Sequence, residues 1–203
     1  MTNYIIAITI AIPIFILLIS IEAFWGFKKG IKINNSTDII SSLSSGITNT
    51  IRDGMGYGII LISYTWLNNN LAIENNLPIW LGVVIAFIVK DFAGYWLHRI
   101  HHKINILWNR HIIHHSSEEF NLSCALRQPI SDNIKFSALF LIPAALLGIP
   151  PYIFAIIGPI HLFMQFWYHT QLIDKLGWLE KIIVTPSHHR VHHAINPEYI
   201  DKN

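Results

Sequence analysis

Cysteine is almost missing: Cys124 is the only one in 203 residues. No internal disulfide can form, and zinc sites built on several cysteines are excluded. Charge is scarce too. Lys, Arg, Asp and Glu make up 13% of the chain, against about 25% in a soluble domain. The formal net charge is only +2, and no basic run is interleaved with aromatics. The electrostatic footprint of a nucleic-acid binder is therefore absent. There is no His-Glu-x-x-His motif, which removes the common zinc-protease arrangement. Paired Glu-x-x-His motifs, the mark of carboxylate di-iron bundles, are also absent. So is a glycine-rich dinucleotide fingerprint.

What the chain has instead is apolar length. Hydrophobic residues make up 52% of it, and its mean hydropathy is positive. A membrane-spanning helix needs about 20 mostly apolar residues. The candidate spans are 4–25, 47–67, 78–97, 134–149 and 152–168. The first is broken only by Thr9, Pro13, Ser20 and Glu22. It has no basic residue before it and no small-residue cleavage site after it, so it reads as a retained helix rather than a signal peptide. The last two are short and meet at Pro150-Pro151, where a helix cannot continue. They read as a hairpin that dips deep or just spans. The expected fold is all-α: an integral membrane bundle of four or five spans, with 1–203 forming a single domain.

Basic residues orient it. Lys28, Lys29, Lys32 and Arg52 follow the first span. Arg99, Lys103, Arg110, Arg127 and Lys135 follow the third. Lys175, Lys181, Arg190 and Lys202 follow the last. The loop 68–77 and the 150–151 tip carry none. By the positive-inside rule the N-terminus lies outside and these segments face the cytoplasm.

All twelve histidines lie from residue 98 onward, and ten fall in three short runs: "HRIHH" at 98–102, "HIIHH" at 111–115 and "HHRVHH" at 188–193. Every run falls on the cytoplasmic side, as a histidine-rich helical cap. His98 and His102 are one helical turn apart, so both can point at one ion. His101 lies off that face. His111, His114 and His115 share one side of a helix, and His189, His192 and His193 repeat the pattern. Eight such histidines exceed the four ligands of a tetrahedral zinc and suit two metal ions. Imidazole by itself does not choose among iron, zinc, copper and nickel. A patch that only stores or passes metal, in a non-catalytic membrane protein, is the competing reading.

Two further groups stand out. Lys90 and Asp91 sit inside the third span, where charge is costly and usually paired or functional. Asp91, Tyr95, His98 and His102 share a helical face, so Asp91 either pairs with a cation or orients a histidine ligand from behind. On the last span His161, Gln165 and His169 share another face. His169 emerges at the span's exit and is the favoured ninth ligand. His161 is a packing histidine or a supporting group.

The stretches "DFAGYWLHRIHHKINILWNRHIIHHSSEEFN" and "TPSHHRVHHAINPEYIDKN" resemble the fatty acid hydroxylase superfamily, which includes the sterol desaturases. "QFWYHT", "KLGWLE" and "TPSHHRVHH" are most similar to its alkylglycerol monooxygenase and bacterial sterol-desaturase-like branch. The resemblance covers roughly residues 80–203. It implies a non-haem di-iron centre that uses O2 to hydroxylate or desaturate a C–H bond of a bilayer lipid: a sterol, fatty acyl chain or ether lipid. It also implies ligand roles for His98, His102, His111, His114, His115, His169, His189, His192 and His193. Gln165 stands where some relatives carry a further histidine, and His188 is a neighbour of the last box. Two electrons per turnover must come from outside the chain, from a separate redox partner or, as the branch suggests, a soluble pterin. Ala194 stands where the close branch usually has Gly. Relatives continue beyond Asp201-Lys202-Asn203, so the chain is expected to be a fragment.

Overall fold

The computed structural model describes residues 2–33, 35–57, 59, 61–74, 76–131 and 134–200, with side chains from Thr9 onward. Lys202 and the terminal Asp201–Asn203 stretch lie outside the described residues. The architecture is all-helical. The described residues contain no β-strand, only an isolated bridge between Ile59 and Ile134.

Helix α1 (Thr2–Lys28) and helix α4 (Ile79–Lys103) are long and apolar enough to cross a membrane. On α1, Ile10, Ile14, Leu17, Ile21 and Phe24 are exposed. An apolar face left bare to this extent suits lipid rather than water. Helix α8 (Pro151–Trp167) is shorter and equally apolar. Pro151 opens it, where a missing N–H costs nothing. It packs on α4 through small residues: a Cβ on Gly82 would meet the Ile153 side chain at 3.2 Å. Ala86, Ala144, Ile149, Ile153 and Ile157 form the buried core between them. Helix α7 (Ile142–Leu146) ends at Gly148, whose φ of 75° turns the chain toward Pro150 and into α8. This is the expected proline-tipped hairpin. Its far limb, 134–149, is not one helix. It is split at Leu141 into α6 (Ser137–Phe140) and α7.

The candidate span 47–67 is also not one helix. Helix α2 (Ser36–Gly54) stops at Gly54, Gly56 takes φ 75°, and a new helix, α3 (Tyr64–Leu71), starts on a Ser63 cap. The reason is polar. Asn49 and Arg52 donate to the carbonyls of Gln128 and Ile130, and Lys135 pairs with Asp53. These ties dock α2 against the 128–135 segment. Residues 58 and 60, inside that candidate span, lie outside the described set.

Helix α5 (Asn105–His115) follows α4 after a single residue, Ile104, and folds back against it. A 3₁₀ turn (Leu122–Leu126), a second one (Gly177–Lys181) and helix α9 (Pro186–His193) complete the cap at that end.

Candidate metal centre

Helices α4, α5 and α9 and the exit of α8 bring nine histidines together in two groups. His98, His102, His111, His115 and His192 form one. His114, His169, His189 and His193 form the other. Within each group the potential ligand atoms all lie within 4.8 Å of one another. These nine are the histidines singled out above.

The division follows helical geometry. Residues four apart on a helix point about 40° apart, and adjacent residues about 100° apart. The pairs 98/102, 111/115 and 189/193 each stay in one group, whereas His114 and His192 turn away to the other. Each H-x-x-H-H run therefore straddles both groups. His101 belongs to neither and stacks on the back of His111, with ring centroids 5.3 Å apart.

Inside the groups the ring nitrogens nearly touch. The Nε2 atoms of His98 and His192 are 2.8 Å apart, as are those of His169 and His189. His111–His115, His189–His193 and His114–His169 follow at 3.1–3.2 Å. Two nitrogens each ~2.1 Å from one ion at a right angle would be ~3 Å apart, and a tetrahedral pair ~3.4 Å. The spacing fits ligands on a shared ion.

Hydrogen bonding makes the fit sharper. His114 Nδ1–H donates to the Arg127 carbonyl at 3.2 Å, and His169 Nδ1–H donates to the Gln165 carbonyl at 2.7 Å. These tautomers follow from the acceptors, because a carbonyl can only accept. In a neutral ring the opposite nitrogen then carries a bare lone pair. His114 Nε2 and His169 Nε2 thus face each other at 3.2 Å with no proton between them. Burial keeps both rings neutral, with His114 pushed down to about 4 and His169 well below the ordinary imidazole range. Two buried lone pairs at that distance repel unless a cation lies between them.

Aromatic rings pack against both groups. Trp108 lies against His102 and His115, at 5.1 and 5.6 Å between centroids. Phe120 covers His169, His189 and His193, and Tyr168 covers His189 at 4.3 Å. Cys124, buried in the first 3₁₀ turn, has its thiol pushed up to about 12 by burial. It is an inert thiol rather than a ligand.

The remaining expected residues are placed differently. Gln165 supports His169 through its main-chain carbonyl, not its amide. His188 is exposed beside Glu180. Asp91 is exposed, and among the described residues it makes no hydrogen bond or ion pair with any of the nine histidines. It lines an open cavity of about 360 Å³ on α4 with Phe87, Ile88, Phe92 and Tyr95. His161 is buried against Phe87, two helical turns before His169.

Sequence reasoning missed three supports. Glu22 of α1 accepts from the Leu122 N–H and the Thr170 hydroxyl. Asp38 and Arg127 form a buried ion pair behind His114. The signal was there: each is a charge in a nearly uncharged stretch. Glu22 registered only as a break in an apolar run, and Arg127 only as one of the orienting cations.

Known proteins align with this arrangement. The sequence profile of the fatty acid hydroxylase family matches residues 83–203. Alkylglycerol monooxygenase of Danio rerio is 44% identical over 202 residues, which is 95% of this chain and 43% of the relative. The Homo sapiens alkylglycerol monooxygenase is 41% identical over 199 residues, again 95% of this chain and 43% of the relative. Ornithine lipid hydroxylase OlsE of Rhizobium tropici is 32% identical over 117 residues, 58% of this chain and 35% of the relative. The chain spans less than half the length of these relatives. No solved structure matches it.

Proposed function

The chain belongs to the fatty acid hydroxylase family, and from that premise we propose that it is the core of a membrane-embedded, O2-dependent, iron-containing lipid hydroxylase. The observation that carries the reading is the pair of facing lone pairs on His114 and His169. The nine histidines would hold two irons, the group of five one ion and the group of four the other. The substrate class is an alkylglycerol-type ether lipid, in line with the names of the relatives at 41–44% identity. Those names also favour hydroxylation over desaturation.

The bound irons would supply the activation of O2, and the protein supplies position, dryness and electron access. Overall, one C–H bond becomes C–OH. One O2, two electrons and two protons are consumed, and one water leaves. The electrons come from a separate reductant, a redox protein or a soluble pterin.

The chain's own residues do the rest. Exposed apolar side chains on α4, Ile88 and Phe92 among them, face the bilayer, from which the lipid enters laterally. The cavity on α4 reaches Tyr95, one turn from His98. Trp108, Phe120 and Tyr168 keep water off the ring nitrogens. Neutral imidazoles would bring no negative charge to the bound ions, leaving their positive charge uncompensated. The chain is a single multi-pass domain held in the bilayer by α1 and α4, with the shorter apolar α8 packed beside α4. Its histidine cap lies on the cytoplasmic face of a bacterial inner membrane or of the endoplasmic reticulum.

Anaerobic purification with iron, followed by metal analysis and exposure of an alkylglycerol lipid to O2 with reductant, tests this. Two irons per chain and an oxygenated lipid are expected. One zinc and no turnover would replace the enzyme with a non-catalytic metal-binding membrane protein.

A further inference from the structure

The Asp38–Arg127 ion pair reaches the histidines from behind. Arg127 Nη2 donates to the Asp38 carboxylate at 2.7 Å and to the Asp38 carbonyl at 2.9 Å. Its Nε donates to Ser42 Oγ at 3.1 Å, and its Nη1 to Ser116 Oγ at 3.4 Å. The second carboxylate oxygen of Asp38 accepts from Ser117 Oγ at 2.5 Å. Both side chains are under 10% exposed, at 8% for Arg127 and 9% for Asp38. Breaking a buried pair by removing one partner is costly, because the other charge is left uncompensated. This pair is therefore hard to displace once formed.

Its position gives it a second consequence. Arg127 is held at both ends: its guanidinium by α2 and Ser116, its carbonyl by the His114 ring. Ser116 and Ser117 directly follow α5, so the same pair also fixes the end of the helix that carries His114. His114 is the only histidine that α5 gives to the four-histidine group. His111 and His115 go to the other group, on the side of α4 and Trp108. Of the α5 histidines, His114 alone has its ring hydrogen-bonded to the Arg127 carbonyl, so this contact acts directly on the four-histidine group.

We propose that Asp38 and Arg127 are positioning residues that hold His114 with Nε2 toward the four-histidine group, and so set the metal affinity of that group selectively. This rests on the reading that the two groups hold metal. Partners behind a metal-bound histidine fix its tautomer and ring orientation, and losing one typically costs about 10- to 100-fold in affinity. The two groups are then inequivalent by construction. The buried four-histidine group is locked through α2, and its affinity responds to residues that are not themselves ligands.

The test is an anaerobic Co(II) titration of the full-length apoprotein in detergent, read by visible absorption and by bound cobalt per chain. Wild type should take up two ions and His169→Ala one. Asp38→Asn should shift one of the two phases to about 10- to 100-fold higher cobalt and alter its ligand-field bands. The other phase should stay in place. Should Asp38→Asn fail to fold, Ser117→Ala removes one hydrogen bond to Asp38 and should shift the same phase by a smaller factor. Unmoved phases in a folded variant, or both moving together, would overturn the proposal while leaving the metal centre intact. A wild-type protein that binds no cobalt would instead refute the metal reading and take this inference with it.

Discussion

Glu22 in the first apolar helix accepts a hydrogen bond from the hydroxyl of Thr170, the residue next to His169 and 148 positions away in the chain. Its other oxygen accepts from the Leu122 N–H at 2.7 Å. Arg190, next to His189, donates to the Thr170 carbonyl from the other side. Thr170 thus joins α1, the exit of α8 and α9. Glu22→Ala leaves the buried Leu122 N–H and Thr170 hydroxyl without their acceptor. A loss of about 2 kcal/mol is expected, read as a lower denaturation midpoint in detergent. An unchanged midpoint would show that α1 docks by apolar contact alone.

The two groupings make the histidine variants distinguishable. Either His111→Ala or His115→Ala should empty the five-histidine site and spare the other. His193→Ala should do the reverse. His101→Ala should keep nearly all its iron, since His101 belongs to neither group and stacks on His111 from outside. Iron per chain after purification reads all four. Equal losses in His101→Ala and His98→Ala would refute the placement of the first run.

Gln165→Ala is expected to keep full iron. The acceptor for His169 is the main chain at position 165, and an alanine retains it. His169→Ala should lose iron from the four-histidine site. If both variants lose the same amount, the Gln165 side chain is doing something the geometry does not account for.

Acid should release the metal and weaken the fold together. In the unfolded chain an imidazole titrates near 6.5, while burial pushes His114 down to about 4 and His193 and His115 further down. As pH falls below 6.5 the unfolded state takes up protons first, so stability drops through the window from 6.5 to about 4. Stability is fully present above that window. Protons compete with metal for the same nitrogens. Iron retained after dialysis at stepped pH, with thermal unfolding of the apoprotein alongside, should fall over this range. A protein that gains stability on acidification would contradict the burial.

The proposed orientation has its own test. Trp178 is exposed in the second 3₁₀ turn, and Cys124 is fully buried. In a Cys124→Ser background, Trp178→Cys should react with an impermeant maleimide in inverted vesicles and stay unlabelled in right-side-out ones. The opposite pattern would turn the cap to the other face.

Much of this was legible in the chain by itself, because it depends on local geometry. An apolar run of helical length, a proline pair that stops a helix, and histidines three and four apart all act within a turn or two. The all-helical class, the long helices at 4–25 and 78–97 and the nine histidines follow from such short-range rules. The family resemblance rests on the same spacings. What the tertiary structure decided is everything that depends on who meets whom. Residues 47–67 are apolar enough to suggest a span, but Asn49, Arg52 and Asp53 find partners around 128–135 and dock α2 there instead. Spacing puts His114 beside His115 and cannot say that they serve different groups; that follows from the α8 exit arriving on one side and α4 on the other, with α9 supplying histidines to both. Asp38–Arg127 and Glu22–Thr170 join residues 89 and 148 positions apart. No local period encodes such a pair. It forms because a charge buried among apolar helices must find a partner, and only the packed fold brings that partner within reach.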